Sequence, residues 1–199
     1  MTRQHDEILT PFHFSAIPLN SFILFEGNLF SHYAFQQQQL RIDKQGAWAA
    51  LGQADRALLE AMLADPYFAK PIPKSTGRDY FNLNWLNQHI KGLSLGPEDI
   101  QATLCQLTVT SIAQAVLLYS PQRLLVCGGG VHNPLLMNGL AQHLPDCVVE
   151  STMAVSLDPD LVEAVCFAWL AQRRLDGQPG NLPSVTGARQ AVVLGGIYV

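Results

Sequence analysis

The stretch RLLVCGGGVHNPLL, residues 123–136, constrains this chain more than any other. Leu124, Leu125, Val126 and Cys127 make a short unbroken apolar run. Stopped by glycines, such a run predicts a strand buried on both faces. Gly128, Gly129 and Gly130 then allow a sharp turn and a close approach by another group. Asn133 is a favoured N-cap and Pro134 a favoured first helical residue, so a helix is expected to open there. Strand, glycine turn and helix start, in that order, aim backbone N–H groups and a positive helix end at one spot, where a nucleotide could sit.

Taken alone, the stretch also reads as a plain strand-to-helix connection in an α/β protein. A third reading is a nicotinamide-dinucleotide domain. The pattern Gly128-x-Gly130-x-x-Asn133 departs from that fingerprint only in its last glycine. Glu150 ends the next apolar run about 20 residues on, where a ribose-binding acid would stand. The missing glycine and the late position in the chain count against it.

Upstream, residues 1–40 crowd Phe12, Phe14, Phe22, Phe25, Phe30, Tyr33 and Phe35 before a four-glutamine run. Residues 21–25 could form a strand, and the rest shows no clean period. The opening MTRQHDEILTPF carries acids and a proline, unlike a signal peptide. The apolar run at 16–25 is too short to span a bilayer, so no membrane partner is expected.

Beyond Asp43 the pattern is regular. Helices are expected over 54–63, with Leu58, Leu59 and Met62 on one face, and over 79–90, with Phe81, Trp85, Leu86, His89 and Ile90 inward. A long helix is expected from Gly96 to about Leu118, opened by Pro97 and the acids Glu98 and Asp99. The helix after the glycines is expected over 134–144, with Leu136, Leu140 and Ala141 inward, and a strand over 147–149. That strand–helix–strand unit implies a parallel pair and an α/β fold. Asp158-Pro159 should open a helix running to about Leu175, with Val162, Val165, Cys166, Trp169 and Leu170 on its apolar side. A last apolar strand is expected over 192–198.

Two further places carry candidate chemistry. The loop PIPKSTG exposes Lys74, Ser75 and Thr76. It is either a polar turn capping the next helix or an anion- and substrate-binding loop. Glu163, near a helix start, is on its own terms a partner for the helix dipole.

The 199 residues are 48% hydrophobic with a formal net charge of −4, enough for one ample core or two small lobes. Twelve scattered Lys and Arg form no basic stripe, which argues against nucleic acid. Cys105, Cys127, Cys147 and Cys166 form no CxxC pair, and the six histidines show no ligand spacing. Free thiols in a reducing cytoplasm are expected, and no metal site.

Several stretches together resemble the C-terminal half of the anhydro-N-acetylmuramic acid kinases. They are DKQGAWA at 43–49, KSTGRDYFN at 74–82, LLVCGGGVHNPLLM at 124–137, VEAVCFAWLAQRRL at 162–175 and GQPGNLPSVTGARQAVVLGGIY at 177–198. The resemblance covers residues 43–199, taken as a C-terminal kinase lobe, with 1–42 a poorly matched N-terminal segment. It implies one lobe of a sugar-kinase/actin-like ATPase fold, a mixed sheet flanked by helices. It implies an enzyme that opens 1,6-anhydro-N-acetylmuramic acid with water and phosphorylates its 6-oxygen from ATP with Mg²⁺, in cell-wall recycling. It assigns Gly128, Gly129, Gly130 and Asn133 to the nucleotide. It assigns Glu163, within the segment matching Glu-Ala-x-x-Phe-Ala-Trp, to the sugar.

The sequence also departs from the family. It holds no Gly-Thr-Ser-x-Asp-Gly phosphate loop. Where the family has Asp-Thr-Gly-Pro-Gly-Asn with its base aspartate, only Gly27-Asn28 of Glu26-Gly27-Asn28 matches. Met153 and Ala154 replace polar, often acidic, residues. Each missing catalytic element is typically worth 10²-fold or more. The chain alone is therefore expected to be inactive or weakly active, and to need either the N-terminal lobe or a homodimer partner. The alternative is a sugar- or nucleotide-binding or dimerisation module without catalysis.

Overall fold

The computed structural model describes residues 29, 33–34, 36–39, 42–71, 74, 76 and 79–198. The strand expected at 21–25 and the side chain of Ser75 lie outside them. From residue 43 the elements run α1 (Arg56–Leu63), α2 (Leu83–Ile90), α3 (Pro97–Leu117), β1 (Arg123–Val126), α4 (Pro134–His143), β2 (Val148–Ser151), α5 (Val162–Leu175) and a short α6 (Pro183–Thr186).

Helix α1 starts where Asp55 accepts a hydrogen bond from Leu58 N at 2.7 Å, and it buries Leu58 and Met62 one turn apart. Helix α2 starts later than periodicity alone indicates. Asn82 accepts from Asn84 N and Trp85 N at 2.9 and 3.0 Å, so residues 79–82 become a turn and the cap sits at Asn82. Trp85 and Leu86 are buried as expected, while His89 is half-buried.

Helix α3 is the spine. It is apolar and long enough by composition to cross a membrane, but most of it is buried inside this fold, with Gln114 and Leu117 exposed towards its end. Its N-terminal half, through Ile100, Leu104 and Leu107, joins one core with Trp48, Leu58, Met62, Tyr67, Phe81 and Trp85. Its C-terminal half joins a second core, where Val109 meets Val126 and Leu140, and Ala113 and Val116 meet Leu144. Helix α4 lies so close that a Cβ at Gly139 would come within 2.7 Å of Val109 Cγ2. Of the residues expected inward on α4, Leu140 is buried and Leu136 partly so, whereas Ala141 faces out.

Strands β1 and β2 pair in parallel, Arg123 opposite Val148 and Val126 opposite Ser151, as the strand–helix–strand pattern requires. The sheet is smaller than expected. Among the described residues it has these two strands, both parallel, so the mixed sheet is not found. Only Val126 of β1 is buried, and Leu124 and Leu125 are half-covered. Residues 192–198 are irregular and exposed rather than a strand. A strand needs a strand neighbour for its N–H and C=O groups; among the described residues this segment bonds only at Val192, to Gly180 and Asn181, and Gly195, at φ 81°, breaks the run as well.

Helix α5 also departs from expectation. Asp158 accepts from Asp160 N at 2.9 Å and makes a local turn, so the helix begins at Val162 without a side-chain cap. None of its residues is buried, and Phe167 is 64% exposed. The apolar side expected from Val162, Val165, Cys166, Trp169 and Leu170 is largely bare. Val165 and Trp169 are exposed, whereas Val162, Cys166 and Leu170 are half-buried, Leu170 packing near Gly180 and Leu194.

Asp65 is the polar hub of the aromatic core. It accepts from Tyr67 N at 2.8 Å, the Tyr80 hydroxyl at 2.9 Å and Trp85 Nε1 at 2.9 Å. Burial alone would raise its pKa, but these donors, with His89 nearby, outweigh that and hold the carboxyl below its usual range. A depressed carboxylate stabilises the fold above its unfolded pKa of about 3.9, and that stability is lost as pH falls through the folded value. Urea unfolding should therefore show stability dropping below about pH 4. In Asp65→Asn the native state should be weaker at neutral pH and the acid drop shallower. An unchanged acid profile in the variant would remove Asp65 from this role.

Candidate functional site

The glycine turn sits at the carboxyl end of β1, next to the end of β2. Gly128 holds φ 76° and ψ −176°, a conformation essentially reserved for glycine. A tight turn over Gly129–His132 follows, so the strand does not run straight into the helix. Asn133 then accepts from Leu135 N at 3.0 Å and Pro134 takes the first helical position, as the sequence indicates. The first N–H groups of α4 have no partner within the helix, and the positive end of its dipole faces the turn.

What surrounds the glycines matters more than their number. Among the described residues a Cβ on Gly128 or Gly129 would meet nothing within 4 Å, and one on Gly130 only Leu136 Cδ1 at 3.8 Å. Internal packing does not demand glycine at these positions. The backbone here borders open space, which suits a ligand approaching it closely.

The turn is braced from behind. Gly46, at φ 67°, lies so close to the buried Asn133 that a Cβ there would be 2.4 Å from Asn133 Oδ1. Gly46 is held in turn by the buried carboxylate of Asp43. This accepts from Trp48 N at 2.8 Å, Ala49 N at 2.9 Å and Gln101 Nε2 of α3 at 3.4 Å. Asn133 therefore caps and packs, and its side-chain oxygen is committed to α4.

The turn at 158–161 closes the other side. Gly128 N donates to the carbonyl of the buried Pro159 at 2.8 Å. His132 Nε2 stands 3.0 Å from both carboxylate oxygens of Asp160. Helix α5 starts immediately after, with Glu163 exposed in its first turn. The contacts with Pro159 and Asp160 thus bring the turn of Gly128, Gly129, Gly130 and Asn133 against a segment that reaches Glu163 a few residues later.

Other candidates lie elsewhere. The Lys74 ammonium donates to Phe68 O at 2.7 Å and Tyr67 O at 3.2 Å and sits 5.1 Å from the Tyr67 ring centroid. Burial, with Lys70 nearby, lowers its pKa. It is directed into the aromatic core, and Thr76 is half-buried beside it in sequence. Burial raises the pKa of the Cys127 thiol, which disfavours the reactive thiolate. Glu150 is bound by Arg123, with Nη2 2.6 Å from Oε1. That pairing occupies the acid on which the nicotinamide reading rests. Among the described residues no group of three or more His, Cys, Asp or Glu could hold a metal.

Sequence patterns alone did not mark Asp43, Gly46, His132 or Asp160 as site-forming. Asp43 and Gly46 fall inside DKQGAWA, but nothing in that string says what they brace. A separation of 28 positions in the chain hides the contact of His132 with Asp160.

A family model described as anhydro-N-acetylmuramic acid kinase matches residues 25–199. The chain belongs to the anhydro-N-acetylmuramic acid kinase family. The match takes in residues 25–42 as well as the later segments. An anhydro-N-acetylmuramic acid kinase of Xanthomonas campestris pv. campestris is 51% identical over 172 residues, covering 85% of this chain and 46% of the relative. One from Xylella fastidiosa is 51% identical over 158 residues, covering 78% and 42%. The chain therefore spans less than half the length of these curated kinases.

The open glycine turn gives a direct test. Gly129→Ala should fold normally, since its Cβ enters open space, yet weaken ADP binding roughly ten-fold, about 1.4 kcal/mol. Gly128→Ala should also lower stability by about 1–2 kcal/mol, because φ 76° disfavours a Cβ. Calorimetry for affinity and urea melts for stability would separate the two. Unchanged ADP affinity in Gly129→Ala would remove the ligand from this turn.

Proposed function

We propose that this chain contributes the nucleotide-binding turn and a sugar-facing carboxylate to an ATP-dependent kinase that opens 1,6-anhydro-N-acetylmuramic acid and phosphorylates its 6-oxygen. The observation carrying this reading is the open space over Gly128 and Gly129 at the end of β1, in a chain of this family. Residues 128–130 would let the nucleotide approach the backbone, and the start of α4 would favour its negative charge. Magnesium, when bound with the phosphates, supplies charge neutralisation. The Glu163 carboxylate, exposed and beyond the 158–161 turn, would accept hydrogen bonds from sugar hydroxyls or the attacking water. Lys74, held by Phe68 O and Tyr67 O, would act by anchoring its loop rather than by touching the sugar.

Phosphoryl transfer works almost wholly by positioning and charge stabilisation. The 199 residues hold neither the phosphate loop nor the base motif that the resemblance leads one to expect, so by themselves they should be nearly inactive. A complementary N-terminal half, or association of copies, would complete the cleft. The bare α5 face, with Phe167 and Trp169 exposed, is the surface that further polypeptide would cover. The four free thiols suit a reducing cytoplasm.

Transfer of labelled γ-phosphate from Mg·ATP to 1,6-anhydro-N-acetylmuramic acid tests the proposal. The chain alone should give at most trace turnover. Adding the N-terminal half of the Xanthomonas campestris relative should raise turnover at least roughly 10²-fold. Glu163→Ala should abolish that gain. Equal turnover with and without Glu163 would take that residue out of the reaction. A folded chain that gains nothing from the added half would favour the non-catalytic binding module.

A further inference from the structure

The glycine turn and the start of α5 belong to different parts of the chain, yet two contacts lock them together. One is the Gly128 N–H on Pro159 O at 2.8 Å. The other is His132 Nε2 between the two oxygens of Asp160, 3.0 Å from each. The backbone contact sits at one end of the turn and the side-chain pair near the other, so the turn is held at two points. Helix α5 buries none of its residues. Its placement therefore depends on these contacts and on the chain connection more than on apolar packing.

We propose that His132 and Asp160 are positioning residues that latch the nucleotide turn to the helix carrying Glu163. The inference rests on the functional reading above for its consequence, but not for its geometry. In physical terms the pair removes freedom from a segment whose amides would contact the nucleotide. A bound nucleotide that fixes residues 128–133 then also fixes the 158–161 turn, and through it the first turn of α5. Sugar-side and nucleotide-side groups would share one mechanical link, so occupancy of one side is felt at the other. Both side chains are more than half exposed. The pair should therefore change affinity and protection only two- to five-fold, the scale of an exposed ion pair.

The test is amide hydrogen exchange on the full chain, with and without ADP, in wild type, His132→Ala, Asp160→Ala and His132→Gln. Gln can place an amide donor near the position of Nε2. Arg56→Ala breaks a distant surface pair and serves as the control. Without nucleotide, exchange at Gly128 should speed up two- to five-fold in both alanine variants. It should return towards wild type in His132→Gln and stay unchanged in Arg56→Ala. With ADP, wild type should gain protection in residues 162–165, and the alanine variants should lose most of that gain. Gly128 exchange unaffected by either alanine variant, or equal ADP protection of 162–165 with and without the pair, would overturn the latch. If ADP protects nothing in wild type, the nucleotide reading fails. The nucleotide-free comparison then still decides whether the pair holds the turn. A variant that fails to fold would show global loss of protection, and the other side of the pair gives the independent answer.

Discussion

A buried carboxylate underlies the site. Asp43 is nearly inaccessible, and a charge there is tolerable only because backbone and side-chain donors surround it. Two of those donors are the Trp48 and Ala49 amides, so the ion folds the 43–49 segment about itself. A third comes from Gln101 on α3, which ties the segment to the spine of the molecule. Once folded, the segment presents Gly46 to Asn133 with no room for a side chain. Asn133 is thereby pinned as the cap of α4, and the glycine turn before it inherits that rigidity. The nucleotide contact proposed for this turn would need such support, because glycines supply none of their own.

The molecule is firm on one side of this turn and sparse on the other. The aromatic core around Tyr67, Phe81 and Trp85, organised by Asp65, and the α3–α4 contact at Gly139 form continuous packed interior. Strand β2, helix α5 and the last twenty or so residues hold little interior of their own. Arg173 lies over the Trp169 ring, and Asn181 bonds the backbone of Gln190 and Val192. These contacts shape the segment locally without burying its apolar surface. The matched region covers less than half of the curated relatives, which fits the proposal that further polypeptide covers that surface.

Local rules made much of this legible. Asn133 and Pro97 mark helix starts because capping is settled by neighbours in sequence, whereas the cap at Asn82 moves α2 later than its periodicity indicates. The parallel β1–β2 pair follows from the length of its crossover. The failures share a cause: they concern partners that sequence does not name. Residues 192–198 carry a strand's composition but have no strand to join among the described residues, and α5 has an apolar stripe with little there to cover it. Asp158 seemed to cap α5, but its side chain found a nearer amide at Asp160. In the site, the three glycines were visible from their spacing. Their brace from Gly46 and their link to Asp160 were not, because each joins residues far apart in the chain. Lys74, exposed in a polar string, turned inward to two carbonyls for the same reason.

The central claim is that residues 128–133 receive a nucleotide against open backbone. A titration of the ¹⁵N-labelled 199-residue chain with Mg·ADP, followed by amide chemical shifts, tests it most directly. The account requires saturable shifts concentrated at Gly128, Gly129, Gly130 and the first turn of α4, with smaller ones at residues 158–163. Shifts confined to the Lys74 loop, or none at millimolar nucleotide in a folded chain, would contradict it.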